Sequence, residues 1–150
     1  MRAVIQRVSE SCVIVDNTKI REIGLGLVIF LGIFDTDKLQ DVKYLTQKIA
    51  VLRIFNDNNN NMNLSIQDVN ASALIVSQFT LCADTNRGRR PSFIRAANPQ
   101  MAEGLYDEFC NKIKKMGIPI KKGKFGATMQ VQIKNEGPIT IILDSNLPKL

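Results

Sequence analysis

Two polar segments lie where a plain strand-and-turn chain does not need them. Ser77-Gln78-Phe79-Thr80-Leu81 follows the apolar run Leu74-Ile75-Val76, so two hydroxyls, an amide and a series of backbone N–H groups stand at a strand end. A strand end is a rigid place from which to aim such groups at a ligand. The alternative is a strand that simply emerges into solvent. Asn135-Glu136-Gly137-Pro138-Ile139-Thr140 lies between two alternating apolar segments. Asn and Gly are expected there from turn chemistry alone. A Gly-Pro bond, however, adopts the cis form at a cost of only about 0.5–1 kcal/mol. A cis bond would turn neighbouring carbonyl oxygens the same way and make an acceptor pair for an ammonium group.

The remaining chemistry is bounded by what the chain lacks. It contains no histidine, which excludes Ser-His-Asp and Cys-His machinery and the common His-bearing zinc sites. Cys12, Cys82 and Cys110 are scattered without CxxC spacing, so they form neither a disulfide framework nor a metal site. Each reads as a small buried hydrophobe, with Cys82, beside the Ser77–Leu81 segment, as the candidate for a cysteine hydrolase. No metal and no cofactor is expected. The net charge of +6 favours an anionic partner. Lys112, Lys114, Lys115, Lys121, Lys122 and Lys124 crowd one stretch, and Arg87, Arg89, Arg90 and Arg95 another. Two such clusters read as phosphate contacts or as a solvated face. Gly123-Lys124-Phe125-Gly126 has the GxxG form of KH domains, yet a strand rather than a helix should follow it. Gly24-Leu25-Gly26 lacks the third glycine of a dinucleotide fingerprint and reads as a bulge or turn.

The elements that must position these groups follow from periodicity. Residues 2–16 alternate like a strand, with a turn expected at Ser9-Glu10-Ser11. Ile20 to Ile33 reads as two strands broken near Gly24 and Gly26, the second buried on both faces. Asp35 or Asp37 is the expected cap of a helix with Leu39, Val42, Leu45, Ile49 and Leu52 on one face. The Asn56–Asn61 run suits an exposed loop, and Ala71 to Leu81 a central strand. After an irregular stretch at 85–97, Asn98-Pro99 should start a second helix, with Gly117 placed to stop it. Strands are expected at Ile118–Ile120, Thr128–Lys134 and Ile139–Asp144, the last two joined by a turn at 135–138. At 150 residues the chain should form one domain, residues 1–150, of the α+β class. Its sheets should be mostly antiparallel, with two main helices. The N-terminus shows no signal-type segment, and the longest apolar run, Leu25–Phe34, is too short to cross a bilayer. No membrane association and a cytoplasmic location are expected.

In combination the segments resemble the D-aminoacyl-tRNA deacylase family, over essentially the whole chain. The likeness runs through Met1-Arg2-Ala3-Val4-Ile5-Gln6-Arg7-Val8, Gly32-Ile33, Ser77-Gln78-Phe79-Thr80-Leu81 and Arg90-Pro91-Ser92-Phe93. It continues through Lys124-Phe125-Gly126-Ala127 to Asn135-Glu136-Gly137-Pro138-Ile139-Thr140. The SQFTL and NxGPxT motifs in this order are highly specific. Thr128 departs from the family pattern, as does the 85–90 loop. The resemblance implies a barrel-like core and a homodimer whose Gly137-Pro138 loop enters the partner's active site. It also implies a cis Gly137-Pro138 bond with both carbonyls turned toward the substrate's α-amino group. Ser77, Gln78, Phe79 and Thr80 would line the pocket for the terminal adenosine of aminoacyl-tRNA and the scissile ester. Arg7 would brace the loop, Met129 would lie close by, and Asn135 belongs to the same substrate-binding motif. An activated ester needs a modest barrier reduction, which positioning and hydrogen-bond donors to the oxyanion supply. The ribose 2′-hydroxyl of the substrate is the favoured proton acceptor. Thr80 as a nucleophile lacks a visible base. Glycine has no side chain to reject, so glycyl-tRNA mischarged on alanine tRNA is an expected second substrate. A non-catalytic RNA-binding domain is the competing reading, together with the Cys82 hydrolase.

Overall fold

The alternating apolar residues from Ala3 to Val15 form one long strand, β1 (Arg2–Val15), in a computed structural model that describes residues 1–146. No turn forms at Ser9-Glu10-Ser11. The exposed Ser9 and Glu10 instead mark a bulge, where pairing with the last strand slips between Val8 and Glu10. An inserted residue inverts the parity of all that follows. Val8 and Val13, of opposite parity, accordingly pack in the same apolar cluster.

Asp16 and Asn17, at φ 50° and 60°, turn the chain into β2 (Thr18–Ile23). The buried strand β3 (Gly26–Gly32) follows, and its first residue must be glycine. A Cβ on Gly26 would come 1.9 Å from the Ser72 carbonyl oxygen. Helix α1 (Leu39–Ala50) buries Val42, Leu45 and Ile49 as its spacing requires, while Leu39 is exposed. Its N-cap is Lys38 rather than Asp35 or Asp37, and the Asp41 carboxylate accepts the Lys38 N–H at 2.8 Å. Asp37 is unavailable as a cap. It is buried, and its carboxylate accepts from the Met1 amine and from the Phe34 N–H at 2.7 Å.

The asparagine run becomes the tip of a small hairpin, β4 (Phe55–Asn56) and β5 (Met62–Leu64). Strand β6 (Ser72–Ser77) stops four residues short of the expected Leu81. Its neighbour β3 ends at Gly32, the Gln78 N–H takes a last rung to the Leu31 carbonyl at 2.8 Å, and residues Phe79–Cys82 coil into a 3-10 turn. Helix α2 (Pro99–Lys115) starts as expected, with the Asn98 side chain accepting from the Met101 N–H. Gly117 follows it at φ +82°. Strand β7 (Ile120–Lys122) lies two residues later than expected, and β8 (Gln130–Asp144) runs unbroken where two strands and a turn were expected.

The fold is a single α+β domain with two helices and a mixed sheet nearly closed into a barrel. The strand order is β2-β1-β3-β6-β7, with β8 along the other edge of β1. β3, β6 and β7 run parallel, and the other pairs are antiparallel. One face of the sheet, with Ile5, Ile29 and Ile75, packs under α1 and α2 through Leu45, Ile49, Phe109 and Ile113. The other face, with Val28, Leu74 and Val76, is filled by Val13, Val15 and Ile23 from the far ends of β1 and β2. No described helix is long and apolar enough to cross a membrane.

Candidate active site

The end of β6, the first turn of α2 and the segment 125–129 enclose a cleft of about 540 Å³. Ser77, Gln78 and Phe79 form one side of it, Pro99 and Ala102 another, and Thr128 and Met129 a third. Thr80 sits exposed at the rim, where its Oγ1 accepts a hydrogen bond from the Gln78 side-chain amide. None of the lining residues is ionisable. The cleft therefore presents hydroxyls, an amide and backbone dipoles to whatever enters it. Acid, base and thiolate are all missing from its walls.

The 3-10 turn is held from below by residues whose role the sequence did not disclose. Gly32 lets it fold back over β3, since a Cβ there would lie 2.7 Å from the Leu81 Cβ and 3.2 Å from the Gln78 carbonyl oxygen. Arg2 donates to the Leu81 carbonyl at 3.1 Å while its Nε bonds Asp144 at 2.9 Å. Nothing in a run of alternating residues marks Arg2 for this work. The Cys82 thiol points inward and donates to the Ile33 carbonyl at 3.4 Å. Burial and the nearby negative charge of Asp37 push that thiol up to about 11. A buried, protonated thiol is no nucleophile, and the Cys82 hydrolase reading is withdrawn. On the opposite wall, Phe125 packs against Tyr106, whose hydroxyl donates to the Ile75 carbonyl at 2.8 Å. The Met129 sulfur accepts the Lys124 N–H at 3.3 Å. The GxxG segment joins β7 to β8, which removes the KH reading.

The second motif forms a separate structure. Along the β1–β8 ladder Thr140 pairs with Gln6 and Asn135 with Val8, so residues 136–139 stand opposite Arg7 alone. The expected turn is thus an oversized bulge, with Glu136, Gly137 and Pro138 exposed and a cis bond between Gly137 and Pro138. Asn135 closes its neck, donating to the carbonyls of Arg7 and Ile139, each at 2.9 Å. Arg7 lies buried beneath, donating to the Ile54 carbonyl at 2.8 Å and to Asn56 Oδ1 at 3.2 Å, with Glu136 3.7 Å from its Nε. Gly137 holds φ +119°, and a Cβ there would meet Ile139 Cγ1 at 2.9 Å. Ser77, Gln78, Phe79, Thr80 and Met129 thus come together at the cleft, while Arg7, Asn135, Gly137 and Pro138 come together at the bulge. β1 and β3 separate the two groups. Met129 lines the cleft.

Residues 4–144 match the family model described as D-Tyr-tRNA(Tyr) deacylase. The D-aminoacyl-tRNA deacylase of Fervidobacterium nodosum is 50% identical over 97% of each chain. That of Clostridium botulinum is 51% identical over 97% of this chain and 98% of the relative. Among solved structures, one described as the c-Myc DNA unwinding element binding protein superposes with a TM-score of 0.92 at 39% identity, covering 98% of this chain and all of that one. Another, described as a probable eukaryotic D-amino acid tRNA deacylase, shares the fold at 18% identity and a TM-score of 0.82 over 95% of this chain and 97% of that one. By sequence over nearly its full length, the chain belongs to the D-aminoacyl-tRNA deacylase family of enzymes.

Proposed function

We propose that this protein hydrolyses the ester joining a D-amino acid to the 3′-terminal adenosine of tRNA, releasing the free amino acid and the tRNA. The observation that carries the reading is a cleft with hydrogen-bonding groups and no ionisable wall. Such a site lowers a barrier by holding the ester and stabilising charge on its carbonyl oxygen. The first N–H groups of a helical turn have no acceptor within it. Phe79 and Thr80 therefore offer donors at the cleft, where the Gln78 side chain does not cap the turn. Water attacks the carbonyl carbon and the ribose 3′-oxygen leaves, with the neighbouring 2′-hydroxyl relaying the proton that no side chain is placed to take.

Selection belongs to the bulge. Gly137 and Pro138 carbonyls would hold the α-ammonium, so that an L side chain collides with the loop while a D side chain points away. Glycine escapes this filter, and glycyl-tRNA mischarged on alanine tRNA is a second substrate. Because one chain keeps its bulge and cleft apart, we assign them to different subunits of a homodimer, each loop entering the partner's cleft. Such a substrate places the enzyme in the cytoplasm.

Hydrolysis of D-tyrosyl-, L-tyrosyl- and glycyl-tRNA by purified protein tests the reading. Release of D-tyrosine and glycine with L-tyrosine spared supports it, and tRNA binding without release of any amino acid leaves a binding domain. A substrate ending in 2′-deoxyadenosine tests the relay. An undiminished rate on that substrate excludes it.

A further inference from the structure

At the edge of the cleft, an aromatic pair faces water. The rings of Phe79 and Phe93 meet edge to face with centroids 5.0 Å apart. They are 60% and 36% exposed, and the adjoining Ile94 is 85% exposed. Core packing does not explain them, because none belongs to either apolar cluster. Exposed apolar groups gathered in one place mark a surface that is covered in use.

The neighbouring loop indicates by what. Asp84 and Ser92 exchange backbone hydrogen bonds of 2.8 and 2.9 Å, closing a loop that carries Arg87, Arg89 and Arg90, all exposed. Among the described residues no carboxylate neutralises these three. Asp84, the acid at the loop's base, is engaged by the Asn86 backbone N–H and side-chain amide at 2.9 and 2.8 Å. Aromatic rings beside free guanidinium groups suit a strand of unpaired nucleotides, whose bases stack and whose phosphates are anionic.

Resting on the deacylase reading, we infer that Phe93 and the Arg87–Arg90 loop form a platform for the single-stranded nucleotides preceding the terminal adenosine. Phe79 joins the two regions, lining the cleft on one side and touching Phe93 on the other. The platform grips RNA without reading its sequence, since every base has a face to stack.

Two substrates separate this surface from the chemistry: D-tyrosyl-tRNA, and 3′-O-D-tyrosyl-adenosine, which has no preceding nucleotides. Phe93→Leu should raise KM for the tRNA about tenfold with kcat nearly unchanged. The adenosine ester should show no such rise, and Phe93→Tyr, which keeps the ring, should restore tRNA binding. Replacing Arg87, Arg89 and Arg90 by glutamine should reduce the salt slope of tRNA affinity by about two. Equal losses on both substrates, or no loss on either, overturn the platform. So does a shift of Phe93→Leu toward monomer in sedimentation, which would assign the patch to subunit contact. Anisotropy of a labelled oligoribonucleotide ending in ACCA, with no amino acid attached, reads the platform independently of hydrolysis. If wild type binds it through Phe93 yet cleaves neither ester, the deacylase reading fails and the platform stands.

Discussion

Thr80 offers the one hydroxyl at the cleft rim that is already hydrogen-bonded to a neighbouring amide, that of Gln78. With no ionisable residue in the cleft wall to activate it, the part we propose for it is to donate or orient. Thr80→Ala should therefore slow single-turnover deacylation of D-tyrosyl-tRNA by about 100- to 1000-fold, the range of a lost oxyanion donor. The residual rate should remain well above the uncatalysed one, and its complete loss would restore Thr80 as nucleophile. Cys82 makes the opposite case, a reactive group rendered inert. Iodoacetamide applied to the native enzyme at pH 8 should leave activity intact. The thiol should appear instead in stability. Burial raises it from 9.0 to about 11, so above pH 9 the unfolded chain releases a proton that the native one retains. Its contribution is thus full below pH 9 and is lost as pH rises toward 11. Thermal midpoints measured across that window should fall less steeply in Cys82→Ala, and equal slopes would disprove the linkage. At this scale the motifs were legible because their side chains are unusual for a strand end or a turn. Arg2 and Gly32 were not, because each acts through a neighbour 46 or more residues away in sequence that only the fold brings close.

The bulge in β8 is the element on which selection is proposed to rest, and Asn135 sets its width. Asn135→Ala removes two hydrogen bonds and should cost about 1–3 kcal/mol in stability, with a fall in kcat/KM for D-tyrosyl-tRNA. Asn135→Asp should be worse, since an acceptor would then face the two carbonyls of Arg7 and Ile139. Equal behaviour of the two variants in thermal melts would show that the neck does not depend on donation. Gly137→Ala meets both a φ of +119° and a contact at 2.9 Å, and should weaken the bulge even where tRNA still binds. Periodicity located most elements, including the break before β3, and cap and stop residues gave the two ends of α2. It failed where an insertion imitates a turn. Ser9-Glu10 and Glu136-Gly137-Pro138 both interrupt alternation with polar or turn-forming residues, yet the chain continues forward because β1 and β8 pair on either side. A cap went astray for a similar reason, as a distant amine holds the carboxylate of Asp37.

At the level of the whole molecule, the separation of cleft and bulge makes the proposed homodimer testable by mixing. A loop variant such as Gly137→Val and a cleft variant such as Gln78→Ala should each be inactive alone. Unfolded and refolded together, they form mixed dimers in which one of two sites has a sound cleft and a sound loop. Half of the dimers being mixed, activity should return to about a quarter of the wild-type level, the statistical result for a two-fold dimer. No recovery, with mixed dimers present by native mass spectrometry, would mean that each loop serves its own chain. Charge and composition pointed to an anionic partner, but no linear reading could show that β1 and β3 lie between the strands carrying the two motifs. The same β1–β8 ladder has a further consequence, for how the protein comes into being. Arg2 pairs with Asp144 and Ile14 with Gln130, so β1 finds its partner at least 116 residues further along. Pairings so remote in sequence close slowly, and during synthesis the outer edge of β1 waits unpaired until residues 130–144 leave the ribosome. The nascent chain thus carries an open strand edge while the residues between are made, a window in which chaperones or aggregation compete for it.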